Sequence, residues 1–308
     1  MTALAAAMAP AASAAEGENC LKVETKNVQL LGTVTDAGQV VSGMVIHYSN
    51  NPLVTVSGVG LDTYTVHAVN NIDDELAGTG VVSYGNYEID RKIVKTEVRG
   101  SQVTVYFDQS EGATLCYTSA SRNYPGDLTY TITQNKPITV STLGLFPESY
   151  TTDYFCDNSV LDEEVAKFTS ELVPGGINYQ LYKPEGGADK LVVWFHGNGE
   201  GDMLGSNNNM AQMLGNRGAV AWASDEFQEI LGGAYVLAFQ APDTWYYAQR
   251  DGLLDQAAAE IEAVVSVYGI DPGKIILTGC SAGGYMSTRM LIAHPELFAA
   301  AMINCPAL

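Results

Sequence analysis

A five-residue bend, Gly279-Cys280-Ser281-Ala282-Gly283, does most to limit how this chain can fold. Before it, Ile275-Ile276-Leu277-Thr278 reads as a buried strand, and after it Tyr285 to Ala293 reads as a helix. Glycines two positions before and two after the serine let neighbouring backbone pass close by. The turn lifts the Ser281 hydroxyl above a sheet edge and leaves the Ala282 N–H at a helix N-terminus, where it can stabilise an oxyanion. Because the chain holds 31 glycines, the motif alone is weak. The strand before it and the helix after it give it weight, since that is the setting in which GxSxG presents a nucleophile. A glycine-rich turn without chemistry is the bland alternative.

The surrounding segments predict a parallel sheet. Ile177 to Tyr182, Lys190 to Phe195, Ala234 to Gln240, Ile275 to Thr278 and Ala299 to Ile303 read as strands. Asn209 to Asn216, Leu253 to Tyr268 and Tyr285 to Ala293 read as helices between them. Continuous apolar strands alternating with helices are the mark of an α/β domain, here 175–308. The earlier part has another texture. Val40 to Tyr48, Thr63 to Val69, Lys92 to Val98, Gln102 to Phe107 and Leu128 to Thr133 are rich in Val, Thr, Tyr and Ile, with Asn, Asp and Gly between them. Thr63-Tyr64-Thr65-Val66-His67 puts every second side chain on one face. Residues 16–137 therefore predict an immunoglobulin-like β-sandwich. Residues 138–174 read as a connector with a short helix over Leu161 to Glu171. Two domains suit 308 residues, since one domain usually takes roughly 100–200.

Composition narrows the partners. A formal net charge of −20 repels phosphate backbones and anionic lipid, which argues against nucleic acid. No run reaches the ~20 apolar residues that span a bilayer, so no membrane insertion is expected. Met1 to Ala15 is small and apolar, and Ala12-Ser13-Ala14 suits a signal peptidase, so residues 1–15 predict a signal-peptide remnant and a secreted, periplasmic or surface protein. Of five cysteines, Cys20, Cys116 and Cys156 are the expected disulfide partners, lying in or beside the β-rich half. No CxxC spacing occurs and the four histidines are scattered, so no zinc site is expected.

Other groups gather at the expected sheet edge. His196-Gly197-Asn198-Gly199-Glu200-Gly201 follows the strand ending at Phe195, and Asn198 is the candidate for a second oxyanion donor. Pro242-Asp243-Thr244-Trp245-Tyr246-Tyr247 follows the strand ending at Gln240. Trp245 and His196 are expected beside the substrate pocket, although plain packing accounts equally well for Trp245, and His196 is expected to shape its own loop. His196 precedes the serine, against the usual order of serine, acid, histidine. His294 lies roughly 20 Å along the helix at ~1.5 Å per residue. His47 and His67 read as ordinary strand residues.

Together these residues resemble the extracellular α/β-hydrolase esterases that carry an N-terminal immunoglobulin-like domain, close to polyhydroxybutyrate-depolymerase-like and feruloyl-esterase-like enzymes. The likeness rests on Trp194 to Gly201, on Gly279 to Ser287, and on His294-Pro295-Glu296-Leu297-Phe298-Ala299-Ala300. It implies hydrolysis of a small-molecule or polymer-linked carboxylic ester through an acyl-enzyme on Ser281, without metal or diffusible cofactor. Such enzymes carry the acid and histidine beyond further strands. The expectation is thus an incomplete α/β-hydrolase domain whose C-terminal part is missing, inactive or weak as it stands. A prolyl-oligopeptidase-like serine peptidase and a non-enzymatic surface or carbohydrate-binding module are the alternatives. Oligomeric state is open.

Overall fold

The computed structural model describes residues 28–72, 82–142, 148–150, 153–156, 159–202 and 209–307, without the side chains of 142, 148–150 and 153–156. The expected signal segment 1–15 and Cys20 lie outside these residues, as does the Cys156 side chain. Cys116 carries a free, buried thiol, against its expected part in a disulfide. It sits 3.1 Å from Asn86 Oδ1 and 3.6 Å from Asn70 Nδ2.

The first part of the chain is all strand. One sheet runs in the order Val160–Leu161, Val28–Thr35, Gly38–His47, Gln102–Phe107, Ile93–Arg99, and another in the order Asp153–Cys156, Asp127–Gln134, Tyr64–Asn71, Tyr87–Asp90. Burial alternates along Tyr64–Asn71 and Asp127–Gln134, as a period of two requires. The inward residues of both sheets meet in one cluster that includes Leu30, Met44, Ile46, Val66, Val105, Tyr130 and Ile132.

A six-stranded sheet follows, in the order Phe168–Glu171, Tyr179–Tyr182, Tyr235–Phe239, Leu191–Phe195, Ile275–Cys280, Ala300–Asn304. The first two strands are antiparallel and the last four run parallel. Leu191–Phe195 and Tyr235–Phe239 are buried at every position because both faces are covered. The helix Leu253–Tyr268 packs Leu254, Ile261 and Val264 on one face, and Met213, Val220 and Trp222 cover the other.

Two expectations fail. Residues 138–174 are not a plain connector: Ile138–Thr142 pairs with Val54–Ser57, Asp153–Cys156 with Asp127–Gln134, and Val160–Leu161 with Val28–Thr35. The helix expected over Leu161 to Glu171 shrinks to the 3-10 turn Val165–Lys167. Asp162 Oδ1 accepts from the amides of Glu164 and Val165 and starts that turn. Phe168 is then buried against Tyr182, with ring centroids 5.8 Å apart, and the chain goes on as a strand. Tertiary pairing outweighs a weak local helix preference.

Ala300–Asn304 is the outer strand of its sheet among the described residues, and Ala300, Ala301 and Met302 are exposed. An apolar edge recruits other strands. Met302→Lys is expected to leave the melting temperature unchanged and to lower self-association at high protein concentration, read by light scattering.

Candidate active site

Register builds the site. Phe195 lies opposite Gly279 and Phe239 in parallel pairs, and Cys280 lies opposite Asn304. The loops after Phe195, Phe239 and Cys280 therefore leave the sheet side by side at its carboxyl edge, where ligands bind in such sheets.

Ser281 has φ 54° and ψ −117°, a conformation L residues avoid, and it is exposed. Its N–H donates to Asn304 O at 3.1 Å, and its carbonyl accepts from Tyr285 N at 3.0 Å and Ala307 N at 3.1 Å. The bend is thus fixed by the main chain, and the side chain is free to face solvent. Ala282 is the first residue of the helix Ala282–Ala293, so its N–H has no partner within the helix. Gly283 is where the helix start passes the preceding strand: a β-carbon there would run into the carbonyl oxygen of Phe195.

The loop after Phe195 comes up to the serine. A side chain built on Gly197 would begin 3.9 Å from Ser281 Cβ and 3.8 Å from Cys280 Sγ. Gly197 caps the 3-10 turn Asn198–Glu200, so the Asn198 N–H is the first of that turn. His196 is buried. Its Nε2 accepts from Ala241 N at 2.9 Å, so its proton lies on Nδ1, which donates to Gly197 O. A trans peptide points its N–H opposite its carbonyl, so this bond also aims the Asn198 N–H away from the imidazole. Asn198 Oδ1 accepts from Thr244 Oγ1 at 2.7 Å.

Sequence reasoning missed Glu200, which is buried beneath the loop with Oε1 accepting from Asn123 Nδ2 at 3.0 Å. Burial pushes its carboxyl up. The same cause pushes the His196 imidazole down to about 4. These two shifts tilt stability in opposite directions. An unfolded histidine takes up a proton as pH falls below 6.5, while folded His196 refuses it until about 4, so stability from this group is full above 6.5 and falls by about 3 kcal/mol on the way down. Glu200 favours the protonated form in the fold, so its contribution is present below 4.5 and is lost as pH rises. Glu200→Gln removes the second slope and is expected to steepen the loss of stability between pH 6.5 and 4, measured by urea unfolding.

Trp245 does not line the site. It is fully buried, packed edge-on to Phe195 at 5.1 Å and 5.2 Å from His196, because an indole behind the loop fills the core. His196 likewise presents no surface to a substrate. The exposed aromatics of that segment are Tyr246 and Tyr247, and Tyr246 meets Tyr285 at 5.6 Å between ring centroids. The other three of the four histidines are engaged elsewhere. His47 pairs with Gln102, His67 with Asp90, and His294 with Asp255 at the far end of the helix from Ser281. Cys280, next to the serine, is half-buried, and burial pushes its thiol up to about 11, so it is no thiolate at neutral pH.

The prolyl oligopeptidase family matches residues 242–308. No curated protein matches the chain. Among solved structures the chain is similar to a thermostable esterase, with TM-score 0.70 and 24% identity over 90% of this chain and 76% of that one. It is also similar to the acetyl xylan esterase from Aspergillus awamori (TM-score 0.33, 21% identity, 44% of this chain, 50% of that one). For a structure of two prolyl endopeptidases the values are TM-score 0.35 and 12% identity over 72% of this chain and 37% of that one. The chain thus spans half or less of the length of these last two. Its second part has the α/β-hydrolase fold. Among the described residues no helix is long and apolar enough to cross a membrane.

Proposed function

We propose that this chain is a secreted serine hydrolase of carboxylic esters, with an immunoglobulin-like sandwich ahead of its α/β-hydrolase domain. One observation carries the reading: an exposed serine in a strained bend lies within a side chain's reach of a glycine loop. Ser281 Oγ attacks the ester carbonyl while a general base takes its proton, which that base then returns to the departing alkoxide. The carbonyl oxygen becomes an oxyanion held by the N–H groups of Ala282 and Asn198. As the oxyanion collapses, the bond to the alkoxy oxygen breaks and the alcohol leaves with a proton. Water then hydrolyses the acyl-enzyme by the same steps. No metal or diffusible cofactor enters this scheme. His196, buried with both ring nitrogens engaged, and His294, at the far end of the helix from Ser281, do not take the serine's proton.

A fluorophosphonate probe tests it. Covalent label is expected on Ser281 and on no other residue, and none after Ser281→Ala. Label elsewhere, or none on the unaltered chain, ends the reading. The match to the prolyl oligopeptidase family keeps a peptidase in view. Faster cleavage of a prolyl anilide than of p-nitrophenyl acetate would favour it.

A further inference from the structure

The oxyanion loop is held from outside its own domain. The strands Leu115–Thr118 and Asn123–Pro125 form a hairpin in the all-β part of the chain. Its turn is closed by Ser121 N to Thr118 O at 2.9 Å and Thr118 N to Arg122 O at 3.0 Å, with Ser121 at φ 60°. This turn projects Arg122 onto the carboxyl edge of the parallel sheet. Arg122 Nη1 donates to Asn198 O at 3.1 Å, and Nη2 donates to Asp243 Oδ1 at 2.5 Å and Asp243 O at 3.3 Å. The guanidinium side chain is only 14% exposed. One planar group therefore ties the loop after Phe195 to the aromatic loop after Phe239. The next residue, Asn123, packs on the same loop: a side chain on Gly199 would begin 2.9 Å from Asn123 Nδ2.

We propose that Arg122 is a positioning residue that sets the Asn198 N–H, and that the all-β part of the chain thereby completes the hydrolytic site. The proposal rests on Asn198 acting as an oxyanion donor at Ser281. Three tethers fix that donor. His196 holds the carbonyl of its peptide, Thr244 holds its side chain, and Arg122 holds its own carbonyl. The first two come from the α/β part, and Arg122 alone comes from the all-β part. A fork of N–H donors can bridge two loops in a fixed plane, which a lysine ammonium cannot. Oxyanion donors act through preorganisation, so a loop free to swing loses much of what the donor gives.

Two measurements on the full chain test this, and they separate it from the hydrolase reading. In hydrogen exchange, Arg122→Gln is expected to speed exchange of the amides of residues 196–201 at least tenfold while residues 64–71 in the sandwich stay unchanged. That readout needs no chemistry at Ser281. In fluorophosphonate inactivation, Arg122→Gln is expected to lower the maximal rate roughly 10- to 100-fold with half-saturation within twofold, a part of the 10²–10³ lost with a whole donor. Arg122→Lys should fall between. Unchanged exchange at 196–201 overturns the tether. Faster exchange with an unchanged labelling rate overturns the positioning role. An unaltered chain that takes no label at Ser281 overturns the hydrolase reading and the positioning role with it, while the exchange arm still decides the tether.

Discussion

Ser281→Gly is expected to raise the melting temperature and at the same time to abolish covalent labelling. The serine holds φ 54° and ψ −117°, outside the basins open to a residue with a β-carbon. Such strain costs of order 1–3 kcal/mol. Glycine adopts the same angles freely, yet it loses more chain entropy on folding, by roughly 0.5–1 kcal/mol. Strain relief wins by about 1 kcal/mol, or roughly 2–4 °C for a unit of this size. The bonds that hold the bend are made by main-chain atoms and survive the change. Removing the hydroxyl takes away the nucleophile, and ester hydrolysis should drop to background, a loss of about 10³-fold or more where a full set of catalytic groups is at work. Ser281→Ala is the control that separates the two effects. It lacks the hydroxyl but keeps the β-carbon, so it should lose the label and gain no stability. Equal stabilisation by Ala and Gly would show that the bend stores no strain.

The elbow was legible in the sequence because its pattern is local. A strand of β-branched residues, two glycines four apart and a helical run lie within twenty residues, and parallel pairing turns that order into geometry. The loop at Asn198 was legible for the same reason, since it follows a continuous apolar strand. Trp245 shows the limit. An aromatic after a strand end can face substrate or core with equal ease, and only the packing of Phe195 and His196 against it decides. Residues 138–174 lacked a sharp alternation, and their strands exist because Val54–Ser57, Asp127–Gln134 and Val28–Thr35 offer edges to them. The hairpin of Arg122 went unseen because it is short and contains Pro125, a residue that weakens any strand assignment. Arg122 itself acts on Asn198, 76 residues away, and no local pattern encodes such a contact.

The sandwich has its own test in Arg91. Its side chain is fully buried. Nη2 donates to the carbonyls of Val41, Asp108 and Glu111, each at 3.0 Å, and Nη1 donates to Tyr130 OH at 2.7 Å. The guanidinium also stacks over Phe107, 4.8 Å from the ring centre. Gly112, at φ +90°, leaves it room, since a β-carbon there would strike the guanidinium. Arg91→Leu is expected to destabilise the sandwich by about 3–5 kcal/mol. Replacing a buried charge by an apolar side chain is often harmless when its partner is removed too. Here the partners are mostly main-chain carbonyls that stay behind, and each acceptor left dry costs about 1–3 kcal/mol, with some of them finding water. Arg91→Lys reaches one or two of these groups and should recover less than half. Tyr130→Phe removes the acceptor of the Arg91 bond together with the 3.3 Å contact to Tyr87 OH, and should cost about 1–2 kcal/mol. Arg99→Leu, at an exposed arginine at the end of the strand Ile93–Arg99, should stay within about 0.5 kcal/mol. Urea unfolding of the four variants orders them, and an Arg91→Leu chain as stable as the Arg99→Leu chain would mean that those carbonyls find other partners once the guanidinium is gone.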